Sequence, residues 1–335
     1  MAGGQERILR RRIRSVQSTK KITRAMELIA ASRIVKAQAR VVAAVPYADR
    51  ITDVARHLQE SGGSSHPLLL PRPEIRKVAL VVIGADRGLC GGYNSSVIRA
   101  AEAEIREHAR AGRDYTLVTS GRKVEGYFRF RNYRISASYG GFSGSPSYED
   151  ARDIASSLLE PFEAGELDLV QTVYTRFVSA GRQEVIVRPL LPLDSADFEG
   201  GRAASSSAHG AGAQATAPDG AKPAYEFEPN PEAILDELLP RYAQARVYAA
   251  LLNAAASEHA ARQRAMKAAT DNADELITAL SRVMNRARQD AITTEIMEIA
   301  GGAEALKSDE GEHDVHERFD FGGVRAALTA GHTSH

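Results

Sequence analysis

Tryptophan is absent from the 335 residues, and cysteine occurs once, at Cys90. One thiol cannot close an intramolecular disulfide or build a cysteine-rich zinc site, so no structural metal is expected. A chain without disulfides suits a reducing cytoplasm. The N-terminus lacks the apolar run of a signal peptide. No stretch approaches 18 uninterrupted apolar residues, so nothing is expected to span a membrane, and any membrane role is peripheral. Net charge is missing too. The 43 basic and 43 acidic residues cancel, and global charge names no partner. Glycine is absent from Pro231 to Ala300, which removes the commonest loop residue from a stretch too long to be a strand.

That glycine-free stretch, from Asn230 to about Leu306, reads as one helix of roughly 75 residues and ~110 Å. Asn230 can cap it, Pro231 suits the first helical position, and Glu232 suits the positive end of the dipole. Pro240 is expected to kink or unwind it, and Gly301-Gly302 to loosen its end. Leu235, Leu238, Tyr242, Ala245, Ala249, Leu252 and Ala256 recur at three- and four-residue spacing. After a polar patch near Gln263 and Thr270 the seam resumes at Ala273, Ile277, Leu280, Met284, Ala287 and Ala291. Such a seam requires a second helix against it.

The partner is the N-terminal segment 1–60. Leu9, Ile13 and Val16 make one stripe. The polar Ser18-Thr19-Lys20-Lys21 interrupts it, and Ile22, Met26 and Ile29 are expected to resume it in a changed phase. Pro46 is expected to bend the helix. Between Glu6 and Arg40 stand eleven Lys or Arg and two Glu. This run is a solvated helix face or a cationic surface for acidic protein loops or phosphates. No aromatic residue lies between Met1 and Pro46 to stack on bases, which argues against nucleic acid as a partner.

Between the helices the period changes. Lys77–Ile83 reads as a buried parallel strand. Further strands are expected at Thr116–Thr119, Tyr133–Ser138, Leu167–Phe177 and Gln183–Leu190, with helices at Asn94–Ala111, Arg122–Arg129 and Tyr148–Phe162. The alternation predicts a Rossmann-like α/β domain at 74–193, inserted in a long antiparallel coiled coil of the terminal helices. The glycine-rich turn Gly84–Gly92 follows the first strand. It matches neither G-x-G-x-x-G nor G-K-[ST], and no acidic residue ends the second strand to hold a ribose. A tight βα turn explains the glycines without a cofactor. Cys90 has no His near it in sequence and is not read as a nucleophile. Residues 194–224, rich in Ala, Gly and Ser, read as a flexible insert. Tyr225-Glu226-Phe227-Glu228-Pro229 leads into the long helix, and together they make the C-terminal shaft segment 225–306. The acidic tail 307–335 is expected to be disordered and dispensable.

Four stretches carry a family resemblance: Ile13–Arg33 (I-R-S-V-Q-S-T-K-K-I-T-R-A-M-E-L-I-A-A-S-R), Asp86–Gly92 (D-R-G-L-C-G-G), Met266–Ala273 (M-K-A-A-T-D-N-A) and Asn285–Ala303 (N-R-A-R-Q-D-A-I-T-T-E-I-M-E-I-A-G-G-A). The chain resembles the gamma subunit of bacterial F-type ATP synthase over residues 1 to about 306. The resemblance implies a rotor shaft with no active site or cofactor of its own. Its coiled coil would lie inside a ring of three alpha and three beta subunits. Its α/β domain would sit at the foot with the epsilon subunit and the c-subunit ring, on the cytoplasmic face of the cell membrane.

By position, the resemblance implies that Arg288 and Gln289 meet a catch loop of beta, with Thr293 and Glu295 just beyond. Arg24, Met26 and Arg33 fall where the first helix meets the acidic lever of beta. Tyr225 and Glu228 fall where the foot rests on the c ring. The insert around 200–220 and the tail after Leu306 depart from the family pattern. A nucleotide-dependent α/β enzyme with helical arms is the alternative reading.

Overall fold

A computed structural model describes residues 2–60, 66–193 and 231–312. It divides into two compact units. One is Thr19–Asn272; the other joins the chain up to Ser18 with the chain from Ala273 onward. The insert 194–224 and residues 313–335 lie outside the described residues.

The larger unit is built on a five-stranded sheet of order β3-β2-β1-β4-β5. Its strands are β1 (Lys77–Ile83), β2 (Asp114–Ser120), β3 (Ile135–Tyr139), β4 (Leu169–Phe177) and β5 (Gln183–Leu191). The first four are parallel, and β5 returns antiparallel beside β4. The β4–β5 hairpin turns through Gly181, closed by backbone bonds between Val178, Ser179 and Arg182. Strand β1 needs its unbroken apolar run because both of its faces are covered. Val78, Leu80 and Val82 pack toward α2 (Tyr93–Arg110) and α3 (Arg122–Phe130). Ala79, Val81 and Ile83 pack toward α4 (Tyr148–Glu163). The two-residue period of a strand separates these sets. Helix α4 starts on a full capping box, with Ser147 and Asp150 satisfying each other's backbone N–H.

The chain winds outward from β1 through β2 to β3, then crosses the sheet by α4 to lay β4 on the other side of β1. The β1/β4 boundary is therefore the switch point of a doubly wound sheet. Backbone crowding at the carboxyl ends of β1 and β2 demands glycine. Gly121 has φ of +106°, and a β-carbon on it would lie 2.5 Å from the carbonyl oxygen of Gly84. Gly121→Ala is expected to cost the folded chain about 2 kcal/mol or more, from a strained φ plus overpacking. Urea titration followed by circular dichroism measures this, and an unchanged midpoint would contradict the crowding.

The first long helix, α1 (Ala2–Glu60), continues through Pro46. The last, α5 (Pro231–Glu312), continues through Pro240 and Gly301-Gly302. Neither proline ends its element. Around Pro240 the neighbours Leu235, Leu239 and Tyr242 are buried in the core with α4 and β5, and at about 1.5–3 kcal/mol for each fully buried large side chain this packing offsets the missing N–H. The helix runs six residues past Leu306, so residues 307–312, assigned to a tail from the sequence, are helical.

From Ala250 to Ala260 every α5 residue except Asn253 is buried. A helix covered all round belongs to a core rather than to a two-helix seam alone. On α1 between Thr19 and Arg40 the buried positions are Thr23, Glu27, Ala30, Ile34 and Ala37, at three- and four-residue spacing. They continue the spacing of Leu9, Ile13 and Val16 by way of Lys20, so the expected phase change does not occur. Ile22 and Ile29 are instead 61% and 53% exposed. The interruption is one of polarity, not of phase.

A polar layer within the larger unit shows why. Thr23 Oγ1 lies 2.8 Å from Thr270 Oγ1, while each hydroxyl also reaches a carbonyl of its own helix, Lys20 O and Met266 O. Two hydroxyl hydrogens serve three contacts, so one donates across the pair and the other to a backbone.

In the smaller unit, Ile13 of α1 is buried, as is Ala273 of α5. Ile277, Leu280, Met284, Ala287 and Ala291 are half-buried along the seam expected for them. From Ile292 to Glu304 every residue is exposed.

Candidate functional site

In a doubly wound sheet, ligands bind outside the carboxyl ends of the strands at the switch point. Here α5 lies in that crevice. Ser257 Oγ donates to Thr175 O of β4, and Phe177 N donates to Asn253 Oδ1. Tyr93 Oη, at the start of α2, donates to Ala254 O. Arg262 donates to the carbonyls of Arg87 and Gly88 in the glycine-rich loop and pairs with Glu258 at 2.8 Å. Both partners of that pair are buried. The position a dinucleotide would take is filled by the protein's own helix.

The glycine-rich loop is fixed by Asp86. Its carboxylate accepts from the backbone N–H groups of Arg122, Gly141 and Ser143. Burial opposes its charge, but the N–H groups of Ser143, Gly141 and Arg122 outweigh that effect and hold the carboxyl below its ordinary range. Cys90 is buried, with Asn94 Nδ2 donating to its sulfur. Burial pushes the thiol up, which suits packing rather than nucleophilic attack. Leu89 has φ of +61° and is 62% exposed.

Of the residues singled out on α1, Met26 and Arg33 line one groove. Its volume is about 760 Å³, and its other walls are the Asp86 loop, the β3–α4 loop and α5. Arg24 stands outside it, its guanidinium 2.9 Å from both oxygens of Glu27. That pair explains how a glutamate is kept in the buried seam.

In the smaller unit Arg288, Gln289, Thr293 and Glu295 are all exposed near the end of α5. Thr293 donates back to Gln289 O, a local bond within the helix. Around them Ile292, Ile296, Met297 and Ile299 are exposed as well. Polar and apolar groups thus alternate on a helix end that nothing in the described chain covers. Tyr225 and Glu228 lie outside the described residues.

The sequence reading does not single out Glu258, His259 or Arg262. His259 Nε2 lies 2.9 Å from the carbonyl of Gly144, so that nitrogen carries the proton. Burial, the largest influence, lowers the pKa of His259 and keeps it neutral. These residues meet loops more than a hundred positions away, and only a charged, histidine-bearing turn in an otherwise alanine-rich helix hints at them.

A protein-family model described as ATP synthase matches residues 5–306. The ATP synthase gamma chain of Frankia casuarinae is 51% identical over 309 residues, 91% of this chain and 99% of the relative. That of Kineococcus radiotolerans is 47% identical, with 91% and 98% covered. Among solved structures, the Tetrahymena thermophila mitochondrial ATP synthase central stalk and c ring contains a chain matched at 25% identity and a TM-score of 0.51, covering 74% of this chain and 99% of that one. A chain of the Euglena gracilis mitochondrial enzyme, described as OSCP/F1/c-ring, shares the fold at a TM-score of 0.61 and 17% identity, with 95% and 99% covered. The chain belongs to the ATP synthase gamma chain family.

Proposed function

We propose that this chain is the central-stalk rotor subunit of a proton-translocating ATP synthase, carrying torque between the membrane c ring and three catalytic beta subunits. Chemistry belongs to the ring of three alpha and three beta subunits, and this subunit supplies asymmetry and stiffness. The observation that carries the reading is the uncovered end of α5, where Ile292 to Glu304 stand exposed beyond the last seam residue. A helix end with such alternating polar and apolar groups is built to be enclosed by another protein. Arg288, Gln289, Thr293 and Glu295 are assigned to the beta contact there, and Arg24, Met26 and Arg33 to the beta contact beside the α/β domain. Tyr225 and Glu228 are assigned to the epsilon and c-ring side.

Polar contacts suit a moving shaft. An exposed ion pair contributes about 0–1 kcal/mol, so it is exchanged for the next at modest cost. A large obligate apolar interface would hold the shaft at one neighbour. No described helix is long and apolar enough to cross a membrane, and we assign the subunit to the cytoplasmic face of the cell membrane, attached through the complex. The test is affinity purification of the tagged chain. Six larger ATP-binding subunits are expected to accompany it, and recovery of the chain without them would overturn the assignment.

A further inference from the structure

Helix α5 is held on two opposite faces where it leaves the α/β domain. Successive helical residues turn by about 100°, so Asn253, Ser257 and Arg264 share one face, and Glu258, Arg262 and Ala265 share another, roughly opposite. The first face lies along the β4–β5 hairpin. Asn253 Oδ1 accepts from Phe177 N, and Ser257 Oγ donates to Thr175 O. Arg264 closes the row at the turn. It donates from Nη1 to Ala180 O at 2.8 Å and to Gly181 O at 3.1 Å, and from Nη2 to Gln183 Oε1. Gln183 in turn donates to Ser179 O and Ala180 O, so the turn is tied to itself and to α5 through one side chain.

The opposite face meets the glycine-rich loop. Arg262 donates to Arg87 O and Gly88 O, and a β-carbon on Gly91 would lie 3.6 Å from that of Ala265. Six positions past Arg264, Thr270 bonds to Thr23 of α1 instead. Six of the twelve residues from Ala250 to Ala261 are alanine. Their methyl groups lie close to the Cα cylinder, of radius about 2.3 Å, whereas an arginine acts at or beyond the side-chain envelope, at about 5–6 Å from the axis. A force of given size opposes more twist the farther from the axis it acts.

We propose that Arg264 is a positioning residue for the rotor: with Arg262 it clamps α5 between the β4–β5 turn and the glycine-rich loop, so that twist applied to the α/β domain enters the helix without slip. That role exists only if the chain is the rotor. Stability and stiffness part company at this site. Ala180 and Gly181 are exposed, so carbonyls released by a substitution are hydrated and the fold loses little. Water opposes no twist. The rigid guanidinium fork holds its acceptors in fixed directions, where a flexible ammonium would follow the turn as it moves.

The test measures torsional stiffness in the assembled enzyme. The alpha–beta ring is fixed to glass, with a bead on Phe130→Cys in a Cys90→Ser background. The angular variance of the bead in a nucleotide-free dwell reports the compliance between the α/β domain and the ring. Arg264→Ala is expected to about double that variance, since one of two opposed grips is gone. The urea midpoint of the isolated chain is expected to stay that of the parent. Arg241→Ala, whose hydrogen bond to Glu237 stays within α5, is the control and should change neither. An unchanged variance in Arg264→Ala, an equal rise in Arg241→Ala, or a large drop in the urea midpoint would overturn the proposal and leave the rotor reading in place. A parent bead that never turns under ATP would overturn the rotor reading, and the proposal with it.

Discussion

Arg262→Leu is expected to destabilise the larger unit by about 3–5 kcal/mol, the cost of leaving Glu258 charged and unpaired in a buried place. The guanidinium serves two functions there. It neutralises Glu258 at 2.8 Å, and it donates to the carbonyls of Arg87 and Gly88, joining α5 to the glycine-rich loop. Removing the arginine alone loses both. Replacing the pair together, Glu258→Leu with Arg262→Leu, removes the stranded charge and should recover more than half of the loss, though the two loop carbonyls still lack a donor. With no tryptophan in the chain, urea unfolding is followed by tyrosine fluorescence and circular dichroism. Equal loss in the single and double variants would show that the pair is not the source.

Arg288→Glu combined with Gln289→Ala should do the opposite. Both residues are exposed, and neither has a side-chain partner among the described residues. Surface changes of this sort usually fall within about 0.5 kcal/mol, so the isolated chain should melt as before. If the proposed beta contact holds, the reversed charge meets groups suited to a guanidinium, and like charges brought together cost several kcal/mol. Assembly, or ATP-driven proton pumping in membrane vesicles, should fall about 10-fold or more. Normal pumping by an intact complex would remove the assignment of these two residues.

These two predictions differ in how far the sequence alone could reach them. Arg288 and Gln289 stand in a run that carries the family resemblance, and their exposure follows from their place off the Ala287–Ala291 seam. Arg262 owes its importance to a carbonyl 174 positions away, and no periodicity reports such a distance. The strands are legible to within a few residues because their apolar runs are bounded by glycine and charge. Lys77–Ile83 has the same bounds in the sequence reading and in the structure.

The α1 seam escapes the sequence reading for a chemical reason. Its buried positions at Thr23 and Glu27 are polar, satisfied by Thr270 and Arg24, while isoleucines at 22 and 29 face outward. A reading by hydrophobicity follows the isoleucines. Helix α5 continues through Pro240 and through Gly301-Gly302, since a local propensity cost of about 1–3 kcal/mol yields at the proline to the packing around it.

Rotation of a single molecule tests the central claim most directly. Phe130, 83% exposed at the end of α3, offers a handle. Phe130→Cys in a Cys90→Ser background would carry a bead while the alpha–beta ring is fixed to glass. With ATP supplied, the bead should turn in one direction with three equally spaced dwells per revolution, one for each catalytic beta subunit. A bead that only fluctuates about one position while the ring hydrolyses ATP would contradict the claim that this chain turns as the shaft.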